Sequence, residues 1–231
     1  VFDTLIARRF INPKTVFDEV GRRIGDTEFK KKRIQAEKQT KKTEGNYWDI
    51  YKLLPEYDPQ VELDVEFEHN YPIVENIQRV QAGDLMLSDM YLPADFIMSM
   101  LRNAGLTVDV DIIVTRYGKK HGYIWDRVKR EYPNLENHYG DNAHSDVKSA
   151  LANGVNGVLV EQHALTANEQ LVYSCDKHLA ALMRYTRLQC PYTDDRQQFW
   201  NDQTNINIPM LLIASRMLPS KKIAFSYRDC H

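Results

Sequence analysis

The stretch DLMLSDM, residues 84–90, is a short apolar run that ends in polar residues. This pattern is typical of the carboxyl end of a buried parallel strand, because helices cover both faces of such a sheet. A helix is predicted next over PADFIMSMLRNAG, residues 93–105, followed by the β-branched, strand-like segment VDVDIIVT, residues 108–115. Together they predict a βαβ unit with a parallel sheet.

The alternation of strands and helices continues to residue 160. Helical patterns over residues 121–133 and 144–154 alternate with short strand-like segments over residues 136–142 and 155–160. Repeated βαβ units of this spacing predict an α/β fold, a doubly wound parallel sheet with helices on both faces. Folds of this class bind ligands at the carboxyl ends of their strands. The candidate functional residues are therefore those that directly follow a predicted strand.

The segment ahead of this sheet has a different pattern. Residues 8–80 are predicted to be mostly helical and to contain no strand, with one long helix over residues 61–83 that breaks near Pro72. The predicted organisation is a core formed by residues 1–7 and 81–165, with the helical segment inserted as a cap.

The C-terminal residues 166–231 are predicted to form a helical extension. One long helix with a single apolar face is expected over residues 166–188, and an irregular polar linker over residues 189–205. A further helix is expected over residues 208–218, and a strand that ends in Arg-Asp over residues 221–231. Such a strand would begin a second domain.

The composition limits the function classes. The 231 residues are 43% hydrophobic and 27% charged, and the net charge of −2 gives no general attraction to nucleic acid or anionic membranes. The Lys-rich run over residues 28–42 is interpreted as a solvated helix face rather than a phosphate-backbone site. The longest apolar stretch contains Arg216 and is too short to span a membrane. Three scattered cysteines favour a reducing compartment, so we expect a cytoplasmic protein with no nucleic-acid partner and no membrane span.

Four polar residues follow predicted strands and have two interpretations each. Asp141 and Asp146 place two carboxylates around a helix start, where they would bind Mg²⁺, or where Asp141 or Ser145 would simply cap the helix. Ser88 is a candidate for binding an oxyanion, or an ordinary turn residue. Lys119 would neutralise a phosphate in a strand-end cleft, or would be a surface lysine.

The order of these residues along the chain favours the functional interpretation. Asp-Thr-Leu at residues 3–5 comes first, and the helical insertion separates it from Ser88. Lys119 follows in the pattern Lys-x-x-Gly-x-apolar-aromatic, and GDNAHSD at residues 140–146 comes last. This order resembles the haloacid dehalogenase-like (HAD) hydrolase superfamily over residues 1 to about 160. It is most similar to the members encoded with surface-polysaccharide and glycosyltransferase functions, which carry a helical cap in the same place.

The resemblance implies a Rossmann-like core and a phosphatase mechanism through an aspartyl-phosphate. Thr4, Ser88 and Lys119 would bind the phosphoryl group, with Lys119 also bridging to the nucleophile. Asp141 would ligate Mg²⁺, with Asp146 sharing or supporting that role.

Further implications concern the opening turn and the partners. Asp3 would be an accessory catalytic residue, and His144 is a candidate for contacting the substrate from the loop before its helix. The substrate would be a small phosphorylated compound such as a sugar phosphate. A glycosyltransferase or a second HAD-like domain in the same chain would be the macromolecular partner.

Two departures from the superfamily pattern leave alternatives open. Anchoring the first motif on Thr4 places the nucleophilic Asp immediately before Val1, outside the sequence. Phe2 holds the position of the phosphatase acid/base Asp, and an aromatic side chain cannot protonate a leaving group. A non-catalytic or regulatory domain of a polysaccharide-biosynthesis protein is the second hypothesis, and a metal-independent 2-haloacid dehalogenase is the third.

Overall fold

The computed structural model describes residues 1–41 and 44–218. The strands in this part of the chain are β1 Ile6–Arg8, β2 Asn70–Pro72, β3 Leu85–Asp89, β4 Asp111–Thr115, β5 Asn137–Gly140 and β6 Asn156–Leu159. The helices up to β4 are α1 Thr15–Ile24, α2 Phe29–Thr40, α3 Tyr47–Lys52, α4 Pro59–Glu68, α5 Val74–Arg79 and α6 Ala94–Asn103. Those after β4 are α7 Gly118–His121, α8 Ile124–Glu131, the π-helix Ala143–Lys148, α9 Ser149–Ala152, α10 Ala167–Cys175, α11 Lys177–Leu188 and α12 Arg196–Met217.

The strands pair two by two. β1 pairs with β2 in antiparallel orientation, whereas β3 pairs with β4, and β5 with β6, in parallel orientation. The parallel pairs are each joined through helices, as βαβ units require. An α/β fold with parallel strands is therefore confirmed, while one continuous doubly wound sheet with a HAD core stays a prediction.

The first βαβ unit forms as its sequence predicts. β3 and β4 pair in register from Leu85 opposite Asp111 to Asp89 opposite Thr115. Helix α6 buries one apolar face, and Gly105 follows it with a φ of 98°, a conformation that favours glycine. The chain can therefore turn sharply after α6 and return to the sheet.

A cavity of about 400 Å³ lies between β3 and β5. Leu85, Met86 and Leu87 of β3 line it on one side, and His138 of β5 lines it on another. Val1 also contributes to its wall. The two parallel pairs thus flank a largely apolar space at the start of the chain.

The inserted segment is mostly helical, but two predictions about it are wrong, the single long helix over residues 61–83 and the absence of any strand. Helices α1 to α5 pack around an apolar core and hold a buried ion pair between Arg33 of α2 and Glu62 of α4. The long helix expected over residues 61–83 is instead α4 and α5 separated by strand β2. Asn70 bonds through its side chain to the carbonyls of Glu66 and Phe67, which ends α4 before Pro72. Pairing with β1 then supplies backbone bonds that no local pattern reveals.

The C-terminal extension also differs from the expectation. Asp176 separates α10 from α11 because its side chain accepts hydrogen bonds from the backbone of His178 and Leu179. The single apolar face is not formed, since Leu171 is 71% exposed. The expected irregular linker is largely helical, because α12 begins at Arg196 and continues through Pro209. The strand predicted over residues 221–231 lies outside the described residues.

No helix among the described residues combines the length and the apolar character that crossing a bilayer requires.

Candidate active site

The loop after β4 is folded around one carboxylate at the end of β3. Asp89 accepts hydrogen bonds from the Thr115 hydroxyl at 2.5 Å and from the backbone N–H groups of Lys119 at 3.1 Å and Lys120 at 3.0 Å. These bonds hold the short helix α7 against the carboxyl end of β3. Ser88, the predicted phosphate ligand, is buried directly before Asp89. The loop that carries Lys119 therefore lies against the carboxyl end of β3, directly after Ser88.

Lys119 forms a buried ion pair with Asp146. The Lys119 Nζ lies 2.5 Å from Asp146 Oδ1, and both side chains are less than a tenth exposed. The backbone N–H of Asn142 donates to Asp146 Oδ2 at 3.0 Å, and His138 Nε2 lies 3.0 Å from Oδ1. An ionised carboxylate only accepts hydrogen bonds, so His138 is the donor in this contact.

Opposing effects act on these two titratable groups. Burial alone would raise the pKa of Asp146, but the hydrogen bond from His138 and the charge of Lys119 outweigh it and hold that pKa well below its usual range. Burial lowers the pKa of His138, and the charge of Lys119 lowers it further. The Asp146 carboxylate is thus held in its ionised form and pairs with the ammonium group of Lys119.

Gly140 makes room for this carboxylate. A Cβ at Gly140 would lie 2.3 Å from Asp146 Cγ and 2.4 Å from Oδ2. Asn142 caps the π-helix by accepting hydrogen bonds from the backbone of His144 and Ser145. Capping by Asp141 or Ser145, the alternative interpretation of the sequence, is therefore wrong.

Asp141 faces the opening turn of the chain. The Thr4 hydroxyl donates to Asp141 Oδ1 at 3.4 Å. Burial raises the pKa of Asp141, and the negative charge of Asp3 raises it further. Asp3 adopts a φ of 54°, a left-handed conformation that Asp tolerates better than most residues. Two partly buried carboxylates that repel each other are a setting that a cation relieves.

The first residue of the chain completes the cluster. The backbone nitrogen of Val1 is buried, and the charges of Lys119, Asp146, Asp141 and Asp3 all act on it. All of these charges therefore lie within electrostatic range of one point, the backbone nitrogen of Val1.

A chain of contacts behind the site was not predicted from the sequence. Ser149 donates to the carbonyl of Lys119 at 2.5 Å, and Trp125 Nε1 donates to Ser149 Oγ at 3.0 Å. The Trp125 ring packs edge-on against His138, with ring centres 5.1 Å apart. His138 stands two residues before Gly140 in β5, and side chains two apart in a strand lie on the same face of the sheet. This spacing is the one feature of the sequence that could have indicated the position of His138 near the site.

The residues present suit a hard cation by their chemistry. Carboxylate oxygens are the ligands that Mg²⁺ prefers, and the mutual repulsion of Asp3 and Asp141 is consistent with a positive charge between them. No group of three or more His, Cys, Asp or Glu side chains among residues 1–41 and 44–218 is arranged to hold a metal. Both oxygens of Asp146 already accept hydrogen bonds from the protein. Magnesium binding by Asp141 and Asp146 therefore stays a prediction.

The remaining predicted residue, His144, is exposed, and its backbone N–H bonds to Asn142. In comparisons with known proteins, no protein-family model matches this chain and no curated protein matches it. A function for this chain is therefore inferred from its ordered motifs and from the geometry that they form.

Proposed function

We propose that this chain is the HAD-like catalytic part of a Mg²⁺-dependent phosphatase that acts on a small phosphorylated substrate such as a sugar phosphate. The observation that carries the proposal is the buried Lys119–Asp146 pair, which lies beside Asp141 and the Val1 backbone nitrogen. Residues far apart in the sequence thereby meet as one cluster of charge beside the end of β3. A structural ion pair alone would not need a second, repelling pair of carboxylates next to it.

The attacking carboxylate is proposed to belong to the residue immediately before Val1. A strand that leads into Val1 would run through the cavity between β3 and β5 and join the two parallel pairs into one sheet. The side chain of its last residue would then lie near Lys119. The proposed doubly wound sheet and the proposed nucleophile therefore both depend on the same strand before Val1.

The reaction has two displacements at phosphorus. A carboxylate oxygen attacks, the bond from phosphorus to the substrate oxygen breaks, and an aspartyl-phosphate forms. Water then attacks the same phosphorus and releases inorganic phosphate and the carboxylate. Lys119 would stabilise negative charge on the phosphoryl oxygens, while Ser88 and Thr4 would donate hydrogen bonds to them. Mg²⁺, which Asp141 would hold with Asp146 behind it, supplies Lewis-acid stabilisation when bound.

Phe2 sets the leaving-group preference. It occupies the position of the acid/base Asp, and its ring lies 4.3 Å from the guanidinium carbon of Arg8. Without an acid at this position the substrate oxygen must leave as the alkoxide or take its proton from water. Phenolic phosphates, whose leaving groups are weak bases, should therefore react much faster than alkyl phosphates.

The experiment uses a chain extended by the residues encoded upstream of Val1 and measures phosphate release from sugar phosphates and an aryl phosphate, with Mg²⁺ or with EDTA. Lys119→Met and Asp141→Asn should each lower kcat by about 100-fold or more. Lys120→Met is the matched control, because the Lys120 side chain is exposed and only its backbone takes part in the site. Equal activity of the Lys119 and Lys120 variants would refute the proposal.

A regulatory domain without catalysis is the second candidate function. Phe2 favours it, because the position that usually carries the acid holds an aromatic ring. Partner binding to a glycosyltransferase or to another domain of the same chain, with no phosphate release from any substrate, would support it. Release of halide from a 2-haloacid in EDTA would instead indicate the dehalogenase reaction.

A further inference from the structure

Arg116 is a buried cation with unused hydrogen-bonding capacity. It directly follows β4 and precedes Lys119 by three residues, in the loop that folds around Asp89. Its side chain is only 6% exposed. Neither terminal nitrogen has a hydrogen-bond acceptor among the described residues. A guanidinium group that is buried in this way normally has carboxylate or carbonyl oxygens against its N–H groups.

Among the described residues, Glu37 is the one carboxylate within ion-pair distance of Arg116, and three cations share it. Glu37 of α2 lies 3.5 Å from Arg116, 3.3 Å from Arg33 and 3.7 Å from Lys41. Arg33 has Glu62 as a second partner, at 2.7 Å. The distance from Glu37 to Arg116 exceeds that of an ordinary charge-assisted hydrogen bond. Positive charge is therefore in excess around Arg116.

This excess charge lies where the inserted helices meet the site. Tyr91, just beyond β3, has the guanidinium carbons of Arg33 and Arg116 at 4.7 Å and 5.3 Å from its ring centre. Glu37 is the more exposed member of its pair with Arg116, at 21% against 6%. A rotation of the Glu37 side chain toward water would therefore remove the carboxylate that lies against the guanidinium group of Arg116.

We propose that Arg116 binds a carboxylate group on the leaving part of the phosphorylated substrate, in place of Glu37. The planar guanidinium group offers two parallel N–H donors, which match the two oxygens of a carboxylate. The inference rests on the proposed function and adds a substrate class: acidic phosphate esters, such as phosphorylated sugar acids, over their neutral counterparts.

The test compares matched substrate pairs that differ only by a carboxylate. Glucuronic acid 1-phosphate is paired with glucose 1-phosphate, and 3-phosphoglycerate with glycerol 3-phosphate. The readout is the ratio of kcat/KM, acidic over neutral, and in parallel the ratio of the dissociation constants from calorimetry. For at least one pair the unmodified protein should prefer the acidic member by about tenfold or more, which is what a charge-assisted hydrogen bond is worth.

Three variants connect the preference to Arg116. Arg116→Gln should bring both ratios close to one, and Arg116→Lys should give an intermediate value, because it keeps the charge but loses the planar pair of donors. Glu37→Gln should raise the preference several-fold, because it removes the competing carboxylate. Arg130→Gln, an exposed position on α8, is the matched control and should leave the ratios unchanged.

The failures of the two proposals are distinguishable. Phosphate release with ratios near one in the unmodified protein, or ratios that Arg116→Gln leaves unchanged, would overturn the role of Arg116 and leave the phosphatase proposal intact. Absence of phosphate release from every substrate would overturn the phosphatase proposal, and the binding ratios would then decide on Arg116 alone. If Arg116→Gln does not fold, the Arg116→Lys and Glu37→Gln variants still test the role of Arg116.

Discussion

Arg33 and Glu62 lie fully inside the inserted helices, where a charge without a partner is expensive. Two guanidinium nitrogens of Arg33 donate to Glu62 at 2.7 Å and 2.8 Å, and the Tyr51 hydroxyl donates to the same carboxylate at 2.9 Å. Water cannot replace a lost partner at a site with no exposed surface. Removing Arg33 would leave the Glu62 carboxylate buried without its cation, whereas removing Glu62 would leave Arg33 with Glu37, at 3.3 Å, as its remaining carboxylate.

The first prediction concerns that pair. Glu62→Gln should lower the free energy of unfolding by about 3 kcal/mol, because the buried Arg33 then keeps only Glu37, at 3.3 Å, as a carboxylate partner. The matched control is Glu131→Gln, since Glu131 pairs with Arg127 in an exposed i,i+4 ion pair, and it should cost less than about 0.5 kcal/mol. Urea denaturation measures both, and coincident midpoints would contradict the prediction.

The second prediction concerns His69 and acid stability. Burial lowers the pKa of His69, its Nε2 has no hydrogen-bond partner among the described residues, and its ring contacts Phe10 with centres 4.7 Å apart. Arg23 and Arg9 lower this pKa further, while Glu19 and Glu68 oppose them. Because the folded pKa is below the unfolded one, the unfolded chain takes up the proton first, and stability falls as the pH drops below about 6.5.

Thermal unfolding at about pH 7.5 and about pH 5.5 measures this effect. His69→Gln should show a smaller drop in Tm between the two conditions than the unmodified protein does. His144→Gln, at an exposed position, should keep the full drop. An identical drop in all three proteins would show that His69 does not carry the pH dependence.

At the scale of elements, the joint between α10 and α11 depends on one side chain. Asp176 accepts two backbone hydrogen bonds at the start of α11 and also pairs with Arg216 of α12 at 2.7 Å. Asp176→Ala should destabilise the protein by about 1 kcal/mol through the lost cap. Asp195→Ala is the control, because Asp195 stands at the start of α12 without a side-chain cap bond. If the two variants unfold at the same urea concentration, the cap does not contribute.

Strand β5 and the π-helix after it meet at Gly140. Gly140→Ala should displace Asp146 from Lys119 and cost about 2 kcal/mol or more, because the new Cβ would overlap the buried carboxylate. Gly154→Ala is the comparison, since Gly154 has a φ of 78° but open space around it; there only the backbone strain of about 1 kcal/mol is expected. If Gly154→Ala unfolded at a lower urea concentration than Gly140→Ala, the close contact between Gly140 and Asp146 would not be the larger constraint.

At the scale of the whole molecule, the C-terminal helices are attached to the beginning of the chain. Arg184 of α11 donates to the carbonyl of Arg8 at 2.5 Å, and Gln189 donates to that of Pro72 at 2.8 Å. Leu188 packs with Ala7, Tyr71 and Ile73 in a small apolar cluster. The hairpin of β1 and β2 is therefore covered by residues that come more than 100 positions later.

This attachment predicts one cooperative unfolding step. Single-tryptophan variants that keep Trp125 beside the site or Trp200 in α12 should report the same urea midpoint. Arg184→Met should shift both midpoints together, since it removes a buried bond between the two ends of the chain. Separate transitions would show that residues 166–218 unfold independently.

Local patterns sufficed for much of the βαβ region. β3, α6 and β4 follow their apolar runs and turn residues closely, because burial between helices and tight turns both leave a direct mark on the sequence. The strand β2 and the break at Asp176 were missed because they depend on a partner strand and on one capping bond. The sequence predicted only that Lys119 and Asp146 follow strands that end at the same edge of the sheet, and not that they form an ion pair. The roles of His138, Trp125 and Ser149 behind them were not predicted.

The sequence by itself determined which segments alternate between strand and helix and in what order Thr4, Ser88, Lys119 and Asp141 occur, since periodicity and spacing are local properties of a chain. Only the tertiary structure decided which charges meet. Asp146 became the buried partner of Lys119, Asn142 rather than Asp141 became the helix cap, and Arg116 was left with too little negative charge. Electrostatic energy depends on distance and burial in three dimensions, and neither is encoded in the separation of residues along the chain.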